Sequence, residues 1–260
     1  MPIIANHALA RLRAGQTAIG FGVSHLRTVA TAQMARTAGY DWLFIDMEHG
    51  AFSVNEGAQL CLASLAVGIA PICRVCSDAL DEGTRLLDNG AQGIVVPHVD
   101  TAAQARRVAD AFRYPPAGTR SWGGGIAQFA FAPPATAEAQ AQVNAETLVC
   151  CMIETAEAVA NAEAIAATPG VDTLLIGTSD LSADMGISGQ IGHERVQAAY
   201  KAVIEACKKH GKQAGMGGVY DEVWAKTYMQ WGARFVLAGS DGLFIMQAAT
   251  ARATFMRGLV

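Results

Sequence analysis

The sequence predicts a (β/α)8 TIM barrel forming a single domain over residues 1–260, and three observations predict it. Short apolar runs of β type alternate about eight times with segments of helical spacing. The length of 260 residues is close to the roughly 250 that such a barrel takes. A doubly wound open sheet, the competing architecture, would carry G-x-G-x-x-G after its first strand. Here Gly20-Phe21-Gly22 is followed by no glycine at the needed place.

The elements follow in order. Ala18 to Val23 is the first strand, and Val29 to Ala38 has helical spacing up to the turn at Gly39. Trp42 to Ile45 runs into Asp46-Met47-Glu48-His49-Gly50 and precedes a helix over Asn55 to Val67. Pro71 to Val75 leads to Leu80 to Leu87, closed by Asn89-Gly90, and Gly93 to Val96 leads to Ala102 to Phe112. Leu148 to Ile153 precedes one helical pattern from Ala156 to Ala166 that ends at Pro169-Gly170. Thr173 to Ile176 precedes Glu194 to Lys209, Gln213 to Met216 precedes Val223 to Met229, and Phe235 to Ala238 precedes Leu243 to Phe255. Tyr114 to Asn144 reads as one long irregular stretch, either a lid or a subunit contact, and a terminal helix over 243–258 is a candidate for exchange between subunits.

Composition narrows the function. A hydrophobic content of 52% with 16% charged residues supports a large core. A net charge of −4 disfavours nucleic acid and anionic membrane, which reward basic surfaces. No stretch approaches the roughly 20 apolar residues of a bilayer span, and the amino terminus has no secretory h-region. Six cysteines in a chain this long do not resemble a disulfide framework, so the expectation is a cytoplasmic protein acting on a small molecule. Cys73-Arg-Val-Cys76 lacks a second pair at zinc spacing and reads as buried thiols.

In a barrel the site is built at the carboxyl ends of the strands. Those ends carry Asp46, Glu48 and His49 after strand two, Arg74 on strand three, His98 after strand four, Glu154 after strand five, and Ser179 and Asp180 after strand six. Consecutive parallel strands joined by a right-handed crossover bring Glu154 and Asp180 to one edge, where two hard oxygen ligands suit Mg²⁺ or Mn²⁺. Singly each residue has a plainer reading as a cap, an ion pair or a solvated side chain. Jointly they are the parts of an enzyme that handles an enolate: acids for a metal, a cation for an oxyanion and an imidazole.

At these residues the chain resembles the HpcH/HpaI family of class II, metal-dependent pyruvate aldolases, which includes 4-hydroxy-2-oxoheptanedioate aldolase. The matching segments are YDWLFIDMEHG, ICRV, LLDNGAQGIVVPHV, RYPPAGTRSWG, MIETAEAV and IGTSDLSADMG, in the family's order from about Gly20 to Gly242. The resemblance implies a (β/α)8 barrel, an ion of the Mg²⁺ or Mn²⁺ class, with Co²⁺ admitted, and a homo-oligomer, often a hexamer with exchanged carboxy-terminal helices. It implies reversible retro-aldol cleavage of a 4-hydroxy-2-oxo acid to pyruvate, or a substituted pyruvate such as hydroxypyruvate, and an aldehyde. Glu154 and Asp180 match the metal ligands, His49 the acid/base histidine, Asp88 the acid that raises its basicity, and Arg74 the cation that stabilises the enolate. Ser179 falls where the family binds the substrate carboxylate through a backbone N–H, beside Asp180. Met152 stands where the family usually has glutamine, so the substrate pocket loses a hydrogen-bonding side chain.

Three alternatives remain at this point: a CoA-thioester lyase of the citrate lyase type, a 2-oxo acid decarboxylase using the same enolate, and a barrel that binds a 2-oxo acid without turnover. A CoA site would show basic residues for its phosphates, and the strand ends offer Arg74 alone. Binding without chemistry would need no base.

Overall fold

In the computed structural model, which describes residues 2–124 and 126–259, eight parallel strands pair in chain order and the last closes on the first. They are β1 (Ala18–Val23), β2 (Trp42–Asp46), β3 (Ala70–Arg74), β4 (Gly93–Val96), β5 (Leu148–Ile153), β6 (Thr173–Gly177), β7 (Gln213–Gly217) and β8 (Ala233–Ser240). Around them run α1 (His7–Arg13), α2 (Ala30–Thr37), α3 (Val54–Val67), α4 (Leu80–Asp88), α5 (Ala102–Phe112) and α6 (Thr136–Glu146). Then come α7 (Ala156–Ala160), α8 (Ala162–Ala166), α9 (Thr178–Asp184), α10 (Glu194–Lys209), α11 (Glu222–Trp231) and α12 (Asp241–Arg257). The barrel is therefore the predicted one, strand for strand.

Period-two alternation decides what each strand gives to the interior. On β2, Leu43 and Ile45 join the layer under the helices, while Trp42 and Phe44 face inward. On β5, Val149, Cys151 and Ile153 face the helices, and Leu148, Cys150 and Met152 face the axis. Trp42 stacks on Phe235 at 4.0 Å between ring centroids, and the Trp42 indole occupies the space a Cβ at Gly20 would need. Leu9 and Leu12 of α1 pack into this cluster and close the foot of the barrel. The interior is thus apolar and filled from below, and side chains become polar only at the upper edge.

Three features differ from the sequence expectation. Residues 156–166 form two short helices, because Asn161 turns its side chain to donate to the Asp100 carbonyl at 2.8 Å. The stretch from Tyr114 to Asn144 is less irregular than its four prolines suggest: it holds a 3₁₀ turn at Ala127–Phe129 and most of α6. Tyr114, Ile126, Phe129 and Val143 form a small core of their own with Ile3. Gln128 donates to the carbonyls of Leu87 and Ala91 at the lower end of α4, so the segment packs under the foot, away from its own barrel mouth. The pair Cys73 and Cys76 divides, with Cys73 buried 3.6 Å from Cys61 and Cys76 half-buried in the loop above.

The terminal helix runs over Asp241–Arg257. Asp241 is buried and its carboxylate accepts the N–H groups of Ser24, His25 and Leu26. Burial would raise this carboxyl, but those bonds outweigh it and hold it below the usual range. Phe244 packs on Phe21 and Tyr40. Beyond that first turn every residue from Ile245 to Leu259 is exposed, including Ile245, Met246, Phe255 and Met256. Among the described residues no helix is long and apolar enough to cross a membrane.

Candidate active site

The inward faces of β2, β3 and β5 end in functional groups. On β2 the inward series runs Trp42, Phe44, Asp46; on β3 it runs Ala70, Ile72, Arg74; on β5 it runs Cys150, Met152 and then Glu154 just past the strand. These ends surround a cavity of about 360 Å³. His49, Arg74, Met152, Glu154, Ser179 and Asp180 all line it, so six of the seven residues that the resemblance gives a part in the site share one space.

Arg74 is fixed before any ligand arrives. Its Nε donates to Asp46 Oδ1 at 3.0 Å and its Nη2 to Asp46 Oδ2 at 2.7 Å, a bidentate pair. Glu48 Oε2 lies 3.2 Å from Nη1, and the Phe44 ring lies under the guanidinium at 5.1 Å. Burial alone would lower this guanidinium's pKa; the two carboxylates more than offset it and the pKa is raised. Asp46 also accepts the backbone N–H groups of Glu48 and His49 at 3.2 Å each, which shapes the loop carrying the histidine. Asp46 and Glu48 were visible at a strand end without an assigned task; the alternation that points Asp46 and Arg74 inward together was the available signal.

Glu154 is 2% exposed. Burial pushes its carboxyl up, the His98 N–H and imidazole pull it down, and the Asp180 charge pushes it up again. One oxygen, Oε2, accepts the His98 N–H at 3.0 Å, which requires His98 to hold a left-handed φ of 54°. The other oxygen, Oε1, has no hydrogen-bond partner among the described residues, and a Cβ at Gly177 would stand 2.5 Å from it. A buried carboxylate with one free oxygen, a second carboxylate beside it and a glycine leaving room is a donor set that fits a hard divalent cation. Among the described residues no three His, Cys, Asp or Glu side chains converge as a complete cage, so two carboxylates would hold such an ion with water or substrate completing its shell.

Ser179 and Asp180 stand exposed in the first turn of α9, where backbone N–H groups have no helical acceptor. Thr178 anchors that turn through a 2.7 Å bond between its Oγ1 and the buried hydroxyl of Tyr200. His49 is largely exposed, and its nearest acid is Glu48 at 4.0 Å. His98 bridges the rim, with Nδ1 3.5 Å from Glu154 and Nε2 3.9 Å from Glu48.

Asp88 is the exception: within one chain it does not pair with His49. It ends α4, a helix that runs back from the mouth, so it reaches the foot. There it pairs with Arg120 at 2.6 Å. The sequence motif fixed the residue but not the end of the barrel it occupies.

A family model described as HpcH/HpaI aldolase/citrate lyase matches residues 24–248. A 4-hydroxy-4-methyl-2-oxoglutarate aldolase of Hapsidospora irregularis is 37% identical over 247 residues, covering 92% of this chain and 88% of that one. A 2-keto-3-deoxy-L-rhamnonate aldolase of Salmonella schwarzengrund is 34% identical over 257 residues, covering 99% and 95%. The crystal structure of an HpcH/HpaI aldolase from Desulfitobacterium hafniense DCB-2 superposes with a TM-score of 0.90 at 29% identity, over 98% of this chain and 97% of that one.

Proposed function

The chain belongs to the HpcH/HpaI aldolase/citrate lyase family, and from that premise we propose how its mouth works as the site of a class II aldolase. The chain is a carbon–carbon lyase that cleaves hydroxy-oxo acids. Its substrate here is a 4-hydroxy-2-oxo acid, cleaved reversibly to pyruvate or a substituted pyruvate and an aldehyde. The observation that carries the reading is the pair Glu154 and Asp180 in one cavity with a prefixed Arg74.

Glu154 and Asp180 would hold Mg²⁺, Mn²⁺ or Co²⁺, which when bound supplies Lewis acidity toward the 2-oxo group. Arg74 has five N–H donors; two are given to Asp46, Glu48 Oε2 lies 3.2 Å from Nη1, and N–H groups not bonded to Asp46 meet the oxygen on which negative charge grows as the carbon–carbon bond breaks. The N–H at Ser179 binds the substrate carboxylate. His49 takes the proton from the C4 hydroxyl during cleavage and returns it during addition. The apolar inner wall of Phe44, Met152 and Leu175 keeps water from the reacting carbons. A CoA thioester is disfavoured because Arg74 is the one Arg or Lys among the cavity's lining residues.

Asp88 enters this scheme only from another copy, whose foot would have to meet this mouth. That requirement joins the exposure of α12: a helix with exposed apolar residues throughout its last four turns gains stability from a partner. We place the working form as a homo-oligomer, a hexamer, with α12 exchanged, in the cytoplasm, where six unpaired thiols remain reduced.

The test is metal removal. Protein stripped with EDTA and verified metal-free by elemental analysis should lose retro-aldol cleavage and regain it with Mg²⁺, Mn²⁺ or Co²⁺, and borohydride with pyruvate should trap no adduct. Full activity in verified metal-free protein would sink the class II assignment.

A further inference from the structure

We propose that Tyr220 is a specificity-determining residue whose ring hangs across the cavity mouth and whose hydroxyl meets the aldehyde half of the substrate, favouring small hydroxylated aldehydes. The inference rests on the aldolase reading of the same site.

Tyr220 lines the cavity, on the segment between β7 and α11. Its neighbours are anchored. Gly218 takes a left-handed φ of +77° and lies so close to the Asp180 turn that a Cβ there would stand 2.9 Å from Ser179 Oγ. Val219 is 2% exposed, and Asp221 caps α11 by accepting the Trp224 N–H at 3.0 Å. Between these fixed points Tyr220 is nevertheless half exposed. A large aromatic ring left open at a cavity rim between anchored neighbours is a contact surface in search of a ligand.

Its direction follows from the ring of strands. In a closed barrel of eight, β7 and β3 stand opposite each other. Tyr220 nonetheless lines the same cavity as Arg74 on β3. A side chain that follows β7 and shares a cavity with Arg74 faces β3 across the opening. The donor half of the substrate lies lower, against Arg74, Glu154 and Asp180, while its C4 oxygen turns to His49. The atoms beyond C4 then lie under the Tyr220 ring. The inner wall beneath it, Phe44, Met152, Leu175 and Leu237, offers the acceptor no strong hydrogen-bonding group.

The experiment uses Mn²⁺-loaded full-length enzyme, wild type, Tyr220→Phe and Tyr220→Ala, with pyruvate as donor and acetaldehyde, glycolaldehyde or benzaldehyde as acceptor. Exchange of pyruvate methyl protons with D₂O reads the donor half alone. Exchange should stay within about twofold in both variants. Tyr220→Phe should lower kcat/KM for glycolaldehyde relative to acetaldehyde by about two- to tenfold, the effect of one neutral hydrogen bond. Tyr220→Ala should also raise benzaldehyde relative to acetaldehyde, because the ring no longer limits size. An active wild type whose acceptor ratios do not move in either variant overturns the role of Tyr220 alone, as does a fall in exchange equal to the fall in addition. A wild type that neither exchanges pyruvate protons nor cleaves any hydroxy-oxo acid overturns the aldolase reading, and this inference with it.

Discussion

Arg74 and Arg120 are both buried, one at each end of the barrel, and they are kept in different ways. Arg74 at the mouth has Asp46 across two bonds, Glu48 on a third nitrogen and the Phe44 ring beneath. Arg120 at the foot has Asp88 on Nη2 and the Tyr114 ring at 4.5 Å, while its Nε and Nη1 find no hydrogen-bond partner among the described residues. A buried cation is costly unless its donors are met, so the mouth is the end where electrostatics has been arranged in advance. At the foot, one carboxylate ties the segment from Tyr114 to Phe129 to α4. The difference teaches that proximity of an acid and a base does not identify a site; what does is a fully fixed cation with donors left over and an open space in front of it.

Removing each arginine's contribution should break the comparison most sharply at the mouth. Loss of one preorganised donor to a developing oxyanion costs about 10²–10³ in kcat, so Arg74→Ala should lose at least that in both retro-aldol cleavage and exchange of pyruvate methyl protons. His49→Ala should damage cleavage more than exchange, because its task is the C4 hydroxyl. Equal damage to both in His49→Ala would assign the methyl proton to His49 as well. Steady-state cleavage beside NMR-detected exchange separates these outcomes.

At the foot the expected effect is on stability first. Asp88→Asn removes the anion paired with Arg120, whose side chain is fully buried, and a hydrogen bond to a charged group contributes about 1.5–3 kcal/mol. Thermal unfolding should therefore occur several degrees lower, at about 2–4 °C per kcal/mol for a chain near this size. If Asp88 also serves His49 of another copy, the variant loses cleavage beyond its folded fraction. Refolding inactive Asp88→Asn chains together with His49→Ala chains should then restore part of the activity, since some mixed interfaces carry both intact residues. No recovery would confine Asp88 to holding Arg120.

The barrel was legible because its strands are apolar runs of four to eight residues bounded by turn residues, and because several of them run into polar groups at their carboxyl ends. Glu154, Asp180, Arg74 and His49 were legible as strand ends for the same reason. What was hidden depended on direction and on distance in sequence. Asp88 lies in a matching motif, yet only the return path of α4 tells which end of the barrel it reaches. Asp46 as the clamp on Arg74 needed the register that pairs β2 with β3, Asp46 beside Arg74. The helix α6 was masked by the prolines before it, since Pro133 and Pro134 end one structure and precede the start of another. Tyr220 carried no motif, and its position became informative only when β7 was seen to face β3.

The smallest effect is expected at Met152, one inward step below Glu154 and 5% exposed. It packs within the interior cluster beside Leu175 and still lines the cavity. An amide there would add a hydrogen-bonding group next to the donor half of the substrate without touching the oxygens of Glu154 or Asp180. Met152→Gln should therefore change the KM for pyruvate or the preference between pyruvate and hydroxypyruvate by about two- to tenfold, the range of one neutral hydrogen bond. Metal affinity should stay within about twofold, because neither carboxylate moves. The amide also enters a wall built of apolar groups, so without a ligand it lacks a partner and should lower stability by about 1–3 kcal/mol. Saturating pyruvate should recover part of that loss if the amide bonds the donor, since a ligand that engages the buried group stabilises the folded chain by mass action. Melting curves with and without pyruvate, beside the kinetics and a metal titration, distinguish a donor contact from a packing change. Lowered stability with unaltered donor kinetics and no recovery by pyruvate would make Met152 a packing residue of the inner wall.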